Sequence, residues 1–196
     1  MSLCKGVIAF ARDGKELNME RISLQEVCEL KSDEERVGRV AGLVAEHGLD
    51  AEIIWHRERP ILSLRDAVEV LGLSPGNVLK CLLLKSRKGE VVAVMAPGDV
   101  RLDMKKLERI AGVKKLSFMS SSELESMLGV EPGGVDPLTL HELADMVFMD
   151  RTLLEKDYVI GSAGSKYCGL KVKPRDMIKA ARATVIDIGK PESAPK

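Results

Sequence analysis

The sequence feature that most constrains the fold is a pair of strongly apolar segments joined by a short polar turn. The first segment runs from Val78 to Lys85, the second from Glu90 to Ala96, and Ser86 to Gly89 connect them. Segments of this length, rich in Val and Leu and bounded by turn residues, are typical of neighbouring strands in a hairpin. We therefore predict that these two strands form the centre of a β-sheet.

Helical patterns lie on both sides of this hairpin. Val37, Val40, Ala41 and Val44 are spaced i, i+3, i+4, i+7 and form one apolar stripe of a helix that Gly48 ends. Capping-type residues predict further helices. These begin at Ser63, Asp103 and Ser122 (with Glu125), and a later one spans Pro174 to Ala183.

Short strands are interspersed among these helices. They are predicted at Ala51–His56, Met146–Met149, Tyr158–Gly161, Gly169–Val172 and Thr184–Ile188. Such a mixed order, without a regular βαβ repeat, is typical of an α+β (mixed α/β) fold. We predict one domain with a central mixed, largely antiparallel β-sheet flanked by helices.

The domain is predicted to span residues 36–188. Residues 1–35 form an extension of unknown role, with a strand at Gly6–Ala11 and a short helix beginning at Ser23, where Glu26 completes a capping-box spacing. Residues 189–196 are predicted to be a flexible tail.

Composition excludes several classes of protein. Hydrophobic residues make up 45% of the chain and charged residues 31%, as in soluble globular proteins, and no segment is long and apolar enough to span a membrane. The aromatic share of 3% argues against a protein that binds nucleic acid by base stacking. We expect a cytoplasmic protein without a membrane anchor.

Neither the cysteines nor the histidines form a metal-binding pattern. Cys4, Cys28, Cys81 and Cys168 are far apart, which fits free thiols in a reducing cytosol. His47, His56 and His141 have no partners at ligand-like spacing. We predict no metal site and no cofactor.

Lys80 is the most informative single residue, because it interrupts the apolar run of the first hairpin strand. Alternation places it on the strand face of Val78, Leu82 and Leu84, and places Cys81 on the opposite face as a small buried residue. An ammonium in such a strand must reach solvent, pair with an acid, or face a cavity that receives an anion. A lysine at a strand end is the alternative reading.

Two glycine-containing segments could approach a ligand closely. Gly133 and Gly134 lie between Pro132 and Pro137, and free backbone amides in such a loop can hold an oxyanion or a phosphate. The segment Gly161-Ser162-Ala163-Gly164-Ser165 consists entirely of small residues. A plain connector and a tight turn are the structural alternatives for the two segments.

Basic residues are unevenly distributed along a chain with no net charge. Residues 85–115 contain nine basic residues against four acidic ones. Local basic surfaces can bind phosphate even when the total charge is zero.

Taken in order, these motifs resemble the YbaK family, whose domain also occurs as the editing insertion of bacterial prolyl-tRNA synthetases. The resemblance spans about Val37 to Ile188. It is carried by Leu71-Gly72-Leu73 ahead of Lys80, Met95-Ala96-Pro97-Gly98-Asp99, Gly133-Gly134-Val135-Asp136-Pro137, Val147-Phe148-Met149-Asp150 and Ser162-Ala163-Gly164. Family members often have Ser in place of Asp136 and Thr in place of Cys81.

The resemblance implies a trans-editing aminoacyl-tRNA deacylase that hydrolyses the ester of a mischarged tRNA, with Ala- or Cys-tRNA(Pro) as the expected substrate and prolyl-tRNA synthetase as a candidate partner. It implies a site without metal or protein nucleophile, in which the substrate's own ribose hydroxyl helps to activate water. Lys80 would position the terminal nucleotide and stabilise charge, and the amides of Gly133, Gly134 and Gly164 would hold the oxyanion. Asp136, Pro137, Ser162 and Ser165 would contact the substrate.

Contacts to the tRNA backbone are expected from basic side chains. They are Lys105, Lys106, Arg109, Lys114, Lys115, Lys171, Lys173 and Arg175. Two alternatives stay open at this point: a non-catalytic module that binds tRNA or a synthetase with the same fold, and a small-molecule-binding protein.

Overall fold

The computed structural model describes residues 32–56, 59–128 and 131–190. The strand predicted at Gly6–Ala11 and the helix predicted to begin at Ser23 lie outside the described residues, as do Cys4 and Cys28. Within the described residues, neither Cys81 nor Cys168 forms a disulfide bond.

Helices and strands alternate irregularly along the chain, as predicted. The helices are α1 (Asp33–His47), α2 (Leu64–Leu71), α3 (Met104–Ala111), α4 (Ser121–Leu128), α5 (Leu140–Leu143) and α6 (Pro174–Ala180), with 3-10 turns at Pro75–Asn77 and Arg151–Glu155. The strands are β1 (Ala51–Trp55), β2 (Leu79–Lys85), β3 (Val91–Pro97), β4 (Ser117–Phe118), β5 (Met146–Asp150), β6 (Val159–Ser165), β7 (Cys168–Val172) and β8 (Thr184–Ile186).

The strands form two sheets. A five-stranded sheet has the order β4-β2-β3-β5-β8, antiparallel from β4 to β3 and parallel from β3 to β8. A three-stranded antiparallel sheet has the order β1-β7-β6. The α+β class and the central β2–β3 hairpin are confirmed. The central mixed sheet is also confirmed, and the structure adds a second sheet, which among the described residues is joined to the first by the isolated bridge between Val78 and Ile160.

Helix α1 illustrates how local sequence sets an element. Ser32 and Glu35 form a capping box, and Gly48 ends the helix in the left-handed region with φ of +61°. The predicted stripe is confirmed, since Val37, Val40, Ala41 and Val44 are the buried residues of the helix. The stripe packs on the core between the two sheets.

Strand β3 is buried along its whole length because both of its faces are covered. Ala93 and Met95 face the larger core, which includes α1, α5, α6 and the three-stranded sheet. Val92 and Val94 face a second cluster, which Leu107 of α3 closes on the other side of the sheet. The five-stranded sheet therefore separates two apolar layers.

Two local predictions need correction. The capping box of α4 is formed by Ser120 and Glu123 rather than by Ser122 and Glu125, because Ser120 Oγ accepts from the Glu123 amide while the Glu123 carboxylate accepts from the Ser120 amide at 2.8 Å. Gly189 pairs with Leu102 in a β-bridge, so it is held in place rather than part of a flexible tail.

No helix within residues 32–56, 59–128 and 131–190 has the length and apolar character needed to cross a membrane.

Two positions on α3 should respond differently to truncation, because only one of them is buried in the second apolar cluster. Leu107 is fully buried, whereas Ile110 on the same helix is 43% exposed. We expect Leu107→Ala to lower the free energy of unfolding by about 2–5 kcal/mol, and Ile110→Ala to change it by about 0.5 kcal/mol or less. Urea unfolding followed by circular dichroism measures both. Equal losses in the two variants would contradict the packing of α3 described above.

Candidate active site

A cavity of about 400 Å³ lies where the two sheets approach each other. Its walls come from the first half of β2, the β6–β7 hairpin, the segment Ile61–Leu64 and the loop Pro132–Val135. Most of the lining side chains are apolar. A pocket of this size and character, with a few polar groups on its walls, is typical of small-ligand sites.

Lys80 stands on the wall of this cavity, on the β2 face that also carries Leu82 and Leu84. Its ammonium donates to the carbonyl oxygen of Gly98 at 3.2 Å and to that of Val100. Since an ammonium has three N–H bonds, one remains without a partner among the residues that the structure describes. Lys80 lies near the start of β2 and is partly buried, and its ammonium is bonded to the turn after β3.

Burial lowers the pKa of the Lys80 ammonium, and the carboxylates of Asp99 and Asp150 partly offset this effect. Neither carboxylate forms an ion pair with it, so carbonyl dipoles hold the cation in place. Lys80 is therefore a fixed positive charge whose attraction for an anion is not cancelled by a direct counter-ion.

Glycine is required at two points where the segment Ile61–Leu64 closes over the cavity. A Cβ on Gly98 would collide with Leu64 Cδ1 and lie 2.7 Å from the Pro75 carbonyl oxygen. A Cβ on Gly133 would lie 2.7 Å from the Ile61 carbonyl oxygen, and Gly133 also has φ of +85°. At these two glycines the segment therefore packs directly against the main chain.

Asp150 indirectly holds the turn that binds Lys80. The buried carboxylate accepts from the amides of Ile188 at 3.0 Å and Gly189 at 3.2 Å. The Ile188 carbonyl in turn accepts from the Asp103 amide at 2.8 Å, and Gly189 pairs with Leu102. Asp150 therefore ties the end of the chain to the segment that follows Gly98 and Val100.

Of the site residues predicted in the loop after α4, Gly133 is the one that lies on the cavity wall. Gly133 lines the cavity, and its amide has no hydrogen-bond partner among the described residues. Gly134 is buried, and its amide donates to the Glu131 carbonyl at 2.9 Å, so it is not free to hold an oxyanion. Pro137 is also buried and is not part of the cavity wall.

Asp136 does not line the cavity, and its carboxylate is hydrogen-bonded within its own turn. Its carboxylate accepts from the amides of Leu138 at 2.9 Å and Thr139 at 3.0 Å, and from the Thr139 hydroxyl at 2.6 Å. Burial raises the pKa of Asp136, while these hydrogen bonds favour the charged form. The geometry therefore assigns Asp136 to the ordering of the turn before α5, against the substrate contact predicted for it.

The small residues of β6 form an irregular hairpin end beside the cavity. Ser162 and Ser165 line the cavity, and the Ser162 hydroxyl donates to the Ser165 carbonyl at 3.2 Å. Gly164 lies outside the wall: its amide donates to Ser162 Oγ at 3.1 Å and its carbonyl accepts from Arg36 Nε at 3.2 Å. The structure thus brings Ser162 and Ser165 to the site and turns Gly164 towards α1.

The predicted tRNA contacts lie on opposite sides of the five-stranded sheet. Lys105, Lys106, Arg109, Lys114 and Lys115 belong to α3 and the turn after it. Lys171, Lys173 and Arg175 belong to β7 and the start of α6. Three of the eight are in ion pairs: Lys106 with Asp187, Lys171 with Glu52 and Lys173 with Asp50.

Sequence reasoning missed His56, which lines the cavity directly after β1. An isolated histidine gives no spacing signal, and only the tertiary fold brings it to the site. Cys81 and Cys168 also line the cavity. Burial raises the pKa of the Cys81 thiol, so Cys81 is an uncharged apolar group, as predicted.

This arrangement defines a class of protein: an α+β domain whose apolar pocket carries one fixed cation. Residues 58–180, more than half of the chain, match the family model of the aminoacyl-tRNA editing domain. The chain belongs to this family.

Named relatives support the same family. The chain is 28% identical over 138 residues to the candidate Cys-tRNA(Pro)/Cys-tRNA(Cys) deacylase EbsC of Enterococcus faecalis, covering 70% of this chain and 82% of that protein. It is 31% identical over 136 residues to the proline--tRNA ligase of Thermodesulfovibrio yellowstonii, covering 68% of this chain but 23% of the ligase.

Solved structures share the fold. A crystal structure of a protein described only as hypothetical has a TM-score of 0.67 at 27% identity, covering 75% of this chain and 96% of that one. The structure of a candidate trans-editing enzyme for prolyl-tRNA synthetase has the same TM-score at 21% identity, covering 80% and 98%.

The Asp150 connection predicts a local effect on the turn that binds Lys80. An asparagine side chain keeps one acceptor and directs N–H groups at donors, so we expect Asp150→Asn to lower the free energy of unfolding by about 2–3 kcal/mol. We also expect faster amide hydrogen exchange in residues 98–103 than in β5 itself. Asp145→Asn is the control, because the hydrogen bond that the described residues give to the Asp145 carboxylate comes from the Val91 amide at the opposite end of β3. Equal exchange in residues 98–103 of both variants would contradict the proposed connection.

Proposed function

We propose that this protein hydrolyses the ester bond between a wrongly attached amino acid and the terminal ribose of a tRNA. The observation that carries the proposal is the Lys80 ammonium, held by two carbonyl oxygens on the wall of an otherwise apolar cavity. An aminoacyl-tRNA end matches both the cation and the apolar wall, because its phosphate and ribose are polar while many amino-acid side chains are not. Membership of the editing-domain family supports the same reaction.

Each part of the cavity receives a role in this proposal. The third N–H bond of Lys80 is directed at the terminal nucleotide and holds the ester in place. The amide of Gly133 is the candidate donor to the oxyanion that develops on the ester carbonyl. Ser162 and Ser165 provide a polar part of the wall opposite Leu79, which packs on Gly161.

Substrate selection follows from the rigidity of the walls. One methylene group changes binding by only ~1–3 kcal/mol in a hydrophobic pocket, whereas a side chain that is too large meets fixed backbone and is excluded. Leu64 against Gly98 and Ile61 against Gly133 leave little room for adjustment. We infer that a small amino acid such as alanine or cysteine is removed, that tRNA(Pro) carries it, and that prolyl-tRNA synthetase is the corresponding partner in the cytoplasm.

Deacylation assays test the proposal directly. Incubation with Ala-tRNA(Pro) or Cys-tRNA(Pro) should release the amino acid, whereas Pro-tRNA(Pro) should stay charged. We expect Lys80→Ala to slow release by about 10²- to 10³-fold. Lys85→Ala, at the other end of β2, should be close to wild type. Failure to release any amino acid would refute the enzyme and support the non-catalytic module; full activity of Lys80→Ala would refute only the role of this lysine.

The tRNA-binding surface is proposed to be the side of the sheet that carries α3. Lys80 shares a β2 face with Leu82 and Leu84, which pack in the cluster beneath this helix. Lys105, Arg109, Lys114 and Lys115 are exposed there. Lys173, on the other side of the sheet, is already neutralised by Asp50.

Charge reversal distinguishes the two surfaces. The double variant Lys105→Glu/Arg109→Glu should weaken tRNA binding, and each phosphate that the variant no longer neutralises should reduce the slope of log K against log salt by roughly 0.7–0.9. Lys173→Glu should leave the slope unchanged. Filter binding at several salt concentrations measures both. A larger effect from Lys173→Glu would place the tRNA on the opposite side of the sheet.

A further inference from the structure

The amino group of an aminoacyl ester has no acidic partner on the described part of the cavity wall. The described side chains that line the cavity include no aspartate or glutamate, and Asp136 is bonded within its own turn. An ammonium that leaves water without meeting a carboxylate needs neutral acceptors, and main-chain carbonyl oxygens are the most abundant of these. Binding of such a substrate therefore calls for a carbonyl on the wall that is not already used.

Strand β2 adjoins the cavity along one of its edges. Consecutive side chains of a strand alternate between its two faces, yet all four of residues 79–82 line the cavity. Access to both faces at once is available from an edge. The wall includes none of Val91–Pro97, the fully described strand β3 on the other side of β2. The cavity therefore lies beside the edge of β2 that faces away from β3.

This edge of β2 is open at Cys81. Within the described residues, β4 and the residue after it cover the edge from Leu83 onwards. At the start of β2, the isolated bridge between Val78 and Ile160 joins the strand to β6. Between these two contacts, the described part of the chain provides Cys81 with no ladder partner on this edge. The cavity occupies the gap that opens between β2 and β6 beyond the bridge.

Cys81 directs both of its main-chain polar groups at this open edge. The register of β2 with β3 is continuous, so successive residues direct their N–H and C=O groups alternately towards β3 and away from it. The Val78 carbonyl accepts from the Gly98 amide at 2.7 Å on the β3 side. The Leu83 carbonyl accepts from the Met119 amide at 3.0 Å on the other side. Cys81 lies two positions before Leu83, so its amide and carbonyl point the same way, towards the cavity.

We propose that the open edge of β2 at Cys81 binds the main-chain part of the aminoacyl group, an inference that rests on the proposed function. The Cys81 carbonyl accepts from the amino group of the substrate, and the Cys81 amide donates to the ester carbonyl oxygen. Two opposed residues of an antiparallel ladder exchange the same pair of bonds, so the substrate is bound as a strand of one residue. A carbonyl oxygen has two lone pairs, and one remains for the Gly133 amide.

The direction of this pairing agrees with the position of Lys80. Two bonds to one and the same residue occur in an antiparallel ladder, whereas in a parallel ladder they go to two different residues. The ester end of the substrate therefore points towards the start of β2. The turn at Gly98, which holds the Lys80 ammonium, is bonded to Val78 at this end. The ribose and the terminal nucleotide thus lie where the cation is held.

Removal of the amino group tests the inference from the substrate side. Propionyl-tRNA(Pro) has an acyl group close in size to that of Ala-tRNA(Pro) but no donor for the Cys81 carbonyl. We expect the wild type to accelerate its hydrolysis about 10- to 100-fold less, relative to the spontaneous rate of each ester, because a hydrogen bond of a charged group is lost. Lys80→Ala should slow both esters by the same factor. Equal acceleration of both esters by the wild type would overturn the inference and leave the deacylase intact.

Two proline variants test the edge from the protein side. Proline has no N–H and is tolerated in a strand where that N–H makes no ladder bond. We expect Cys81→Pro to fold, and Leu82→Pro, which loses an N–H directed at β3, to unfold at a much lower temperature in circular dichroism. The proline ring occupies the edge, so Cys81→Pro should accelerate both esters equally. Cys81→Ala keeps the main-chain groups and should keep the preference for the alanyl ester.

The outcomes separate this inference from the proposed function. A Cys81→Pro protein that unfolds as readily as Leu82→Pro would show that the Cys81 amide is bonded within the sheet, and the inference would fail. A folded Cys81→Pro protein that still prefers the alanyl ester would overturn it as well. A wild type that hydrolyses neither ester would refute the proposed function and this role of Cys81 with it, while the melting temperatures of the proline variants would still show whether the edge is open.

Discussion

The half-buried ammonium of Lys80 is the constraint on which the proposed site depends. A cation on a mostly apolar strand, partly withdrawn from water, needs hydrogen-bond acceptors. Here carbonyl oxygens of Gly98 and Val100 provide that stabilisation, and they belong to the turn at which β3 ends. The turn is held in place by Asp150 through Ile188 and Gly189. Residues near the end of the chain therefore take part in the geometry of a lysine that lies far earlier in the sequence.

Holding the cation by carbonyls rather than by a carboxylate has a functional consequence. A direct ion pair would cancel most of the field that the lysine presents to an anionic ligand. Backbone dipoles stabilise the ammonium while leaving it a net positive charge, and burial strengthens that charge's effect because the local dielectric is low. The lowered pKa of Lys80 reflects the same desolvation.

Much of this could be predicted from local patterns. Alternation along β2 assigned Lys80 and Cys81 to opposite faces, because side chains of a strand alternate wherever it lies. Asp136 was misassigned because an aspartate before a proline gives no sign whether its oxygens face a ligand or the amides two and three residues ahead. His56 was missed for a different reason: its place on the cavity wall depends on bonds to the Tyr167 and Arg59 carbonyls, and no spacing rule relates these residues to a pocket. Local hydrogen bonding and tertiary contacts decide these cases.

Hydrolysis in such a site requires a water molecule inside a largely apolar cavity. In the proposed function an apolar cavity that selects small side chains disfavours water, yet hydrolysis needs one water molecule at the ester carbonyl. The polar groups lie towards the β6–β7 hairpin end, where His56, Ser162 and Ser165 meet the loop of Gly133, whereas Leu64, Ala67 and Leu71 form an apolar wall. A substrate that fills the apolar part leaves the polar end as the place where a water can be hydrogen-bonded. The proposed selectivity and the proposed hydrolysis are therefore compatible, because they would use different walls of one cavity.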